Sequence, residues 1–298
     1  MKFLPADKAF MGYENTGNPA DSKAVIIPFG LEKTVSYMGG TDKGPQAIID
    51  ASPELEKFDE VFWCEPYDAY GIATMDTPPI ELKHEDALEQ LAGHVRDVLK
   101  AGKFPMTLGG EHSLTPGAIR PFVEGGEPIT ILQFDAHADL RDGYEGFHFS
   151  HASAMCRCLD YPNVRLVSVG IRNISKEEMP VLDKYNNRIK IFWAKDMKKW
   201  DADDVAAAVG SGPVYLTFDI DGFDAAMIPA TGTPEPGGLQ WNQTMEIIEA
   251  VAAKAKIIGA DVVELSPREG LHACDFMTAK LVYKILSYAM GLKPKAAA

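Results

Sequence analysis

Three short stretches of the sequence concentrate side chains that can hold metal ions. Asp135-Ala-His137-Ala-Asp139 follows the apolar run Ile129 to Phe134, and Asp219-Ile-Asp221-Gly222 follows the run Val214 to Phe218. A third, Leu108-Gly-Gly-Glu-His112-Ser113, closes the run Phe104 to Leu108, with two glycines that let the backbone turn sharply. Alternate residues of an extended segment point the same way, so Asp135, His137 and Asp139 converge, as do Asp219 and Asp221. Adjacent parallel strands lie about 4.8 Å apart, which brings His112, Asp135, His137, Asp139, Asp219 and Asp221 within reach of one another if the three strands are neighbours.

Four carboxylates cannot crowd together in ionised form without cations, because like charges at close range repel strongly. Two divalent ions balance them, and two neutral imidazoles complete the coordination. Such a pair, about 3.5–4 Å apart, can share a water and lower its pKa into the neutral range. Oxygen-rich ligation with two imidazoles favours two Mn²⁺ per subunit, and Ni²⁺ or Co²⁺ also fit. Each piece taken singly has a plainer reading. Aspartates at strand ends form turns and helix caps, and isolated histidines such as His84, His94 and His272 are structural. Turns and caps do not require six such groups to crowd. Asp219-x-Asp221 is not an EF-hand loop, because glycine stands at the fourth place and Ala230 at the twelfth.

The elements that must position these groups alternate. Strand-like runs occur at Ala24 to Pro28, Phe104 to Leu108, Ile129 to Phe134, Arg165 to Val169, Ile189 to Trp193 and Val214 to Phe218. Two shorter ones follow at Ile257 to Ile258 and Asp261 to Val263. Between them, Leu88, Leu91, Val95 and Val98 recur at helical spacing, as do Met245, Ile248, Val251, Ala252 and Ala255, and then Leu281, Ile285 and Tyr288. Alternating β and α with near-continuously apolar strands predicts an α/β fold, a parallel sheet covered by helices on both sides. In such sheets functional groups gather beyond the carboxyl ends of the strands. No repeat or Ser/Gly-rich linker divides the chain, which reads as one domain over residues 1–298 with a loose tail at 293–298.

The composition bounds the function. The 298 residues carry a formal net charge of −14, which argues against a nucleic-acid partner and suits metal ions or small cations. The four cysteines, Cys64, Cys156, Cys158 and Cys274, are too few for a disulfide scaffold, and Cys156 and Cys158 have no second close pair to complete a zinc site. They read as free thiols of a reducing compartment. No segment has the apolar length of a signal peptide core or a membrane span, so the expectation is a cytoplasmic protein without a membrane partner.

The motifs resemble those of the ureohydrolase (arginase/agmatinase) family, binuclear manganese enzymes that hydrolyse a guanidino group to an amine and urea. The resemblance runs in order through Gly39-Gly-Thr-Asp-Lys-Gly44-Pro45, Gly109-Gly-Glu-His112-Ser, Asp135-x-His137-x-Asp139 and Phe149-Ser-His151-Ala-Ser. It continues through Asp219-Ile-Asp221-Gly, Ala230-Thr-Gly-Thr233-Pro-Glu235-Pro-Gly-Gly238 and Val262-Val-Glu264-Leu-Ser-Pro267. It implies a three-layer α/β/α fold with a mainly parallel sheet of about eight strands. It also implies a homo-oligomer, trimer or hexamer, and a place in polyamine biosynthesis.

Carried over residue by residue, the resemblance places one metal on His112, Asp135, Asp139 and Asp219. The other would sit on Asp135, His137, Asp219 and Asp221, with Asp135 and Asp219 bridging. Glu264 matches the carboxylate that grips the guanidinium, a bidentate fit. His151 matches a loop histidine that shuttles protons, and Thr233 a hydrogen-bonding partner of the guanidinium. Without the resemblance, Glu264 reads as a surface or capping carboxylate and His151 equally as structural. The implied reaction is attack of metal-bound hydroxide on the guanidinium carbon, with a proton reaching the leaving amine through Asp139 or His151.

Arg141-Asp-Gly-Tyr-Glu-Gly146 and Glu235 resemble agmatinases more than arginases, which points to hydrolysis of agmatine to putrescine and urea. Ala138, Phe223, Ala225 and the access loop Met38-Gly39-Gly40 depart from the usual wording, and Arg141 is a cation that would suit an acidic tail. Thus 4-guanidinobutyrate, 3-guanidinopropionate, guanidine and arginine stay open as substrates. A two-metal phosphoesterase would need a later Gly-Asn-His motif, and a deacetylase-like amidohydrolase would need tandem histidines, which this sequence lacks. A non-catalytic metal-binding role is the remaining alternative.

Overall fold

Apolar runs of the sequence pair as parallel strands of one eight-stranded sheet in the order β2-β1-β3-β8-β7-β4-β5-β6. The computed structural model describes residues 1–12 and 18–295. Its elements begin with β1 (Ala24–Phe29), α1 (Gly44–Ala51), α2 (Pro66–Tyr70), β2 (Ile72–Thr74), α3 (His84–Lys100) and β3 (Phe104–Gly109). Next come α4 (Thr115–Val123), β4 (Ile129–Phe134), α5 (Ala154–Leu159), β5 (Val164–Ile171), α6 (Met179–Lys184) and β6 (Ile189–Trp193). The chain continues through α7 (Ala202–Val209), β7 (Pro213–Asp219), α8 (Trp241–Lys254), β8 (Lys256–Val263) and α9 (His272–Ala289).

Every residue of β3 and β4 is buried, the signature of strands covered on both faces. Alternate residues of β1 divide between two apolar layers. Ala24 and Ile26 join the layer of α1, α7, α8 and α9, while Val25, Ile27 and Phe29 join that of α3, α4 and α5. The three-layer α/β/α expectation therefore holds. The helical stripes hold as well: Leu88, Leu91, Val95 and Val98 are buried on α3, and Leu281, Ile285 and Tyr288 on α9. Of the α8 stripe, Ile248 and Val251 are buried, Met245 and Ala252 half-buried, and Ala255 lies just past the helix.

Three details correct the pattern reading. The runs at Ile257 and Asp261 are a single strand, β8, continuous through Gly259. The ring of Phe122 occupies the space that a side chain there would fill, its Cζ lying 2.6 Å from an ideal Cβ position. The short edge strand β2 has three residues and too little pattern to be seen. Finally, β8 lies between β3 and β7, so the three motif-bearing strands are not consecutive neighbours.

The sheet order has a functional consequence. The chain crosses from β3 to β4, leaving room for β8 and β7 between them, and this crossover makes the crevice at the carboxyl ends where such folds bind ligands. The exits of β1 and β3 stay paired beyond the sheet: Gly110 N donates to Phe29 O at 3.1 Å and Glu111 N to Leu31 O at 2.7 Å. Gly110 is required by this approach, because a Cβ there would meet Leu31 O at 2.1 Å.

All four cysteines are free, three of them buried. Among the described residues no helix is long and apolar enough to cross a membrane. Of the tail expected to be loose, Lys295 N donates to Val61 O at 2.8 Å, and residues 296–298 lie outside the described residues.

Replacing Gly110 by alanine forces backbone apart from backbone and is expected to lower stability by about 1–3 kcal/mol. Thermal unfolding measures this, and a midpoint equal to that of the parent would show that the approach is not required.

Candidate metal centre and its pocket

Four central strands deliver the candidate groups. His112 stands in the turn after β3, and Glu264 directly follows β8. Asp219 ends β7 with Asp221 just beyond, and Asp135, His137 and Asp139 follow β4. His112 Nδ1 lies 3.1 Å from Asp135 Oδ2, 3.0 Å from Asp139 Oδ2 and 3.4 Å from Asp219 Oδ2. His137 Nδ1 lies 3.0 Å from Asp221 Oδ2 and 3.7 Å from Asp135 Oδ1. His137 and Glu264 are half-buried, and the others are buried.

Two ligand sets arise, His112–Asp135–Asp219 and Asp135–His137–Asp221, with Asp135 common to both. Asp139 adjoins the first set through His112. Asp219 belongs to the first set, and its Oδ1 accepts from Asp221 N at 2.9 Å.

The donor set fits a cation. Buried His112 Nδ1 has no hydrogen-bond partner although three carboxylate oxygens surround it, the arrangement of ligands around a shared centre. Its ring orientation has a clear cause. Thr217 donates its one hydroxyl proton to Asp261 Oδ1 at 2.5 Å, so its oxygen must accept from His112 Nε2 at 2.9 Å. With Nε2 carrying the proton, the Nδ1 lone pair faces the carboxylates. Asp261 is fully buried and also accepts from Tyr215 and Thr115, so the relay is rigid.

The electrostatics record the lack of positive charge among these residues. Burial, with Asp139 and Asp221 nearby, raises Asp135 to about 7. Burial and the same kind of repulsion, from Asp221 and Asp135, raise Asp219 well above the carboxylate range. Burial would lower both imidazoles, yet the carboxylates push His137 up to about 11 and His112 well above its usual value. Burial would also raise Asp221, but the His137 charge and hydrogen bonds bring it down to about 2. The cluster thus gathers protons where cations would otherwise serve.

Two non-glycine residues here adopt left-handed backbone, Asp139 with φ 53° and Glu264 with φ 66°. Such conformations cost about 1–3 kcal/mol each and persist only when neighbours enforce them. Asp139 O accepts from Met155 N and Cys156 N at the start of α5, and Glu264 N donates to Gly110 O at 2.8 Å. Glu264 Oε1 accepts from His112 N at 2.7 Å, which holds its carboxylate beside the cluster. Burial and the nearby Glu111 raise Glu264 well above its usual value, so a cation against it would be strongly favoured.

A cavity of about 220 Å³ opens over the cluster. His151, Thr233 and Glu264 line it, together with His112, His137, Asp139, Asp219 and Asp221. Asp135 lies beneath them, fully buried. Arg141 is also in the wall, but it is paired with Glu177 and lies 4.7 Å from the centre of the Tyr144 ring, so its charge is already engaged. Glu235 Oε1 accepts from Asn173 Nδ2 at 2.6 Å at the rim.

Sequence reading missed several supporting groups. Thr217 and Asp261 gave no signal, being a strand threonine and a strand aspartate in different segments. Arg172 donates to the carbonyls of Gly170, Asp221, Gly222, Phe223, Glu235 and Pro236, tying the β5, β7 and 232–238 exits together. Thr34 and Ser36 reach His151 from the loop after β1. Only the placement of Arg172 at a strand exit could have drawn notice.

Comparison with known proteins agrees with this geometry. The sequence profile of the arginase family matches residues 22–291. An N(1)-aminopropylagmatine ureohydrolase of Synechocystis sp. is 36% identical over 296 residues, covering 96% of this chain and 95% of the relative. An agmatinase of Pyrococcus horikoshii is 30% identical over 272 residues, covering 89% and 92%. The crystal structure of the agmatine ureohydrolase of Thermoplasma volcanium superposes with a TM-score of 0.84 at 30% identity, covering 95% of this chain and 94% of that one. With side chains that could hold metal ions gathered at the carboxyl ends of an eight-stranded parallel sheet, the chain belongs to the arginase family of ureohydrolases.

Proposed function

We propose that the protein hydrolyses the guanidino group of agmatine, releasing urea and putrescine, with two divalent cations, Mn²⁺ by preference, held by His112, Asp135, His137, Asp139, Asp219 and Asp221. The observation that carries the reading is the Glu264 carboxylate, fixed by His112 N at 2.7 Å beside a cluster deficient in positive charge. Residues 1–298 act as one ureohydrolase domain, since strands contributed from residue 24 to residue 263 form one sheet.

The cations, when bound, supply an activated water and offset the charge that builds on the substrate. The residues do the rest. Glu264 pairs with the guanidinium as a planar, bidentate partner and holds its carbon in line. Thr233, which lines the pocket, would hydrogen-bond the same group. Burial lowers His151, so its imidazole is neutral near pH 7 and free to take up or pass on a proton. When the carbon–nitrogen bond breaks, the leaving amine needs a proton, and His151 or Asp139 delivers it.

The tail preference follows from charge. Arg141, the wall's candidate for an acidic tail, is engaged by Glu177 and Tyr144, and the carboxylate of Glu178, which is no proposed metal ligand, also lines the pocket. A cationic tail is therefore favoured over guanidino acids. A second reading, agmatine bearing an N-aminopropyl group, is supported by the 36% identity to the Synechocystis relative. The pocket rim suits it, because Tyr37 is 76% exposed there and offers a ring face to a further ammonium.

Urea release from Mn²⁺-loaded protein separates these substrates. Agmatine and N-aminopropylagmatine are expected to exceed arginine, 4-guanidinobutyrate, 3-guanidinopropionate and guanidine. A preference for arginine or a guanidino acid would defeat the assignment. Asp135→Asn and Asp219→Asn are each expected to abolish urea release and to reduce the bound metal below two per chain, measured by elemental analysis. Full activity with full metal would remove both residues from the site.

Cation uptake should also release protons. Without metal Asp135 keeps its proton up to about pH 7 and His137 up to about pH 11, so both are displaced on binding in neutral solution. Affinity should rise about tenfold per pH unit for each proton displaced, and less steeply above pH 7, where Asp135 has lost its own. Titration calorimetry in buffers of different ionisation enthalpy reads the proton count, and a pH-independent affinity would contradict the ligand set.

A further inference from the structure

Glu111, the third residue of the Gly-Gly-Glu-His motif, has entered so far only as a charge near Glu264, yet it is fully buried beside the pocket. Four donors fill its carboxylate. Lys33 N and Thr34 N donate to Oε2 at 2.7 and 2.6 Å, and Thr34 Oγ1 and Ser113 Oγ donate to Oε1 at 2.9 and 2.5 Å. Through the first three it anchors the loop after β1, residues 30–38, which forms one wall of the pocket. That loop reaches His151 from both sides. Thr34 Oγ1 lies 3.1 Å from His151 Nδ1 and accepts from His151 N at 3.0 Å, and Ser36 Oγ lies 2.8 Å from Nε2.

Counting protons orders this network. A threonine hydroxyl has one proton to donate, and Thr34 gives it to Glu111. Toward His151, Thr34 can then only accept. It lies nearer Nδ1 than the other hydroxyl there, Ser150 Oγ at 3.4 Å, which can accept as well, so the imidazole carries its proton on Nδ1. Nε2 is left with its lone pair, and Ser36 donates to it. The geometry points to Glu111 as a positioning residue that, through Thr34, sets the His151 tautomer so that Nε2 is the nitrogen able to accept a proton in the pocket. This rests on the proposed ureohydrolase reading, in which His151 moves a proton during turnover.

Glu111→Gln provides the sharpest test. The amide oxygen can still accept from Lys33 N and Thr34 N, but the amide nitrogen now donates to Thr34 Oγ1. The Thr34 hydroxyl then turns to donate to His151 Nδ1, and the imidazole proton moves to Nε2. Thr34→Val removes the hydroxyl and with it the selection, whereas Thr34→Ser keeps it.

Magic-angle-spinning ¹⁵N NMR of histidine-labelled protein loaded with diamagnetic Mg²⁺ reads the tautomer, with His151→Asn identifying the signals. The parent and Thr34→Ser are expected to show the Nδ1–H form, Glu111→Gln the Nε2–H form, and Thr34→Val a mixture. In urea-release kinetics, kcat should fall about 10- to 100-fold in Glu111→Gln and Thr34→Val while KM and bound metal stay near parental values. Thr34→Ser should restore kcat.

An Nε2–H form in the parent, or an unchanged Nδ1–H form in Glu111→Gln, would overturn the inference. If Glu111→Gln fails to fold, Thr34→Val decides: a single Nδ1–H form there overturns the inference and a mixture supports it. Should the parent release no urea from any guanidino substrate, the functional reading fails, while the NMR result still judges the tautomer.

Discussion

Like-charge repulsion governs this site. Asp135, Asp139, Asp219 and Asp221 are all buried and meet around two imidazoles at separations near 3 Å, where four negative charges cannot coexist unaided. The residues respond as an uncompensated cluster must. Asp135 and Asp219 move toward protonation, and His112 and His137 hold their protons far above the usual range. Bound cations would restore the ionised carboxylates, and a guanidinium would do the same for Glu264. The attraction for metal and the attraction for a cationic substrate thus have one physical origin.

A cluster under this repulsion stays assembled only if its backbone is held firmly from behind, and the fold supplies that support in layers. The sheet contributes parallel strands whose exits lie side by side, with β8 and β7 filling the gap spanned by the β3-to-β4 crossover. Behind the exits, Thr217 and Asp261 orient His112, and Gln133, anchored by Ser168, donates to Asp135 Oδ2 at 2.8 Å. Arg172 gathers carbonyls from three segments. Two of the left-handed non-glycine backbones, those of Asp139 and Glu264, lie at the pocket itself. Preorganisation of this kind lets side chains meet a developing charge without rearranging.

The legible part of the protein was its chemistry and its layers. Paired carboxylates at spacing two, each after an apolar run, announce strand exits, because period-two geometry and strand-end placement are local properties. The stripes at Leu88 to Val98 and at Leu281 to Tyr288 likewise depend on nothing beyond helical periodicity. Strand order was not legible, since neighbourhood in a sheet is set by how crossovers pack, and β8 follows β7 in sequence yet separates it from β3. The unity of β8 was hidden for a similar reason. Gly259 interrupts the apolar run, and its purpose is visible only when the Phe122 ring is seen against it.

The sequence by itself determined which groups could carry chemistry, the layered α/β class and the family, because spacing and periodicity are written in neighbouring residues. Only the tertiary structure decided how those groups are held. Asp261 reaches His112 through Thr217, a strand away, and Thr34 reaches His151 across 117 positions of chain. Arg141 looked available to a substrate until Glu177 was found beside it. Hydrogen-bond direction and charge compensation depend on which residues meet in space, and folding alone makes those meetings.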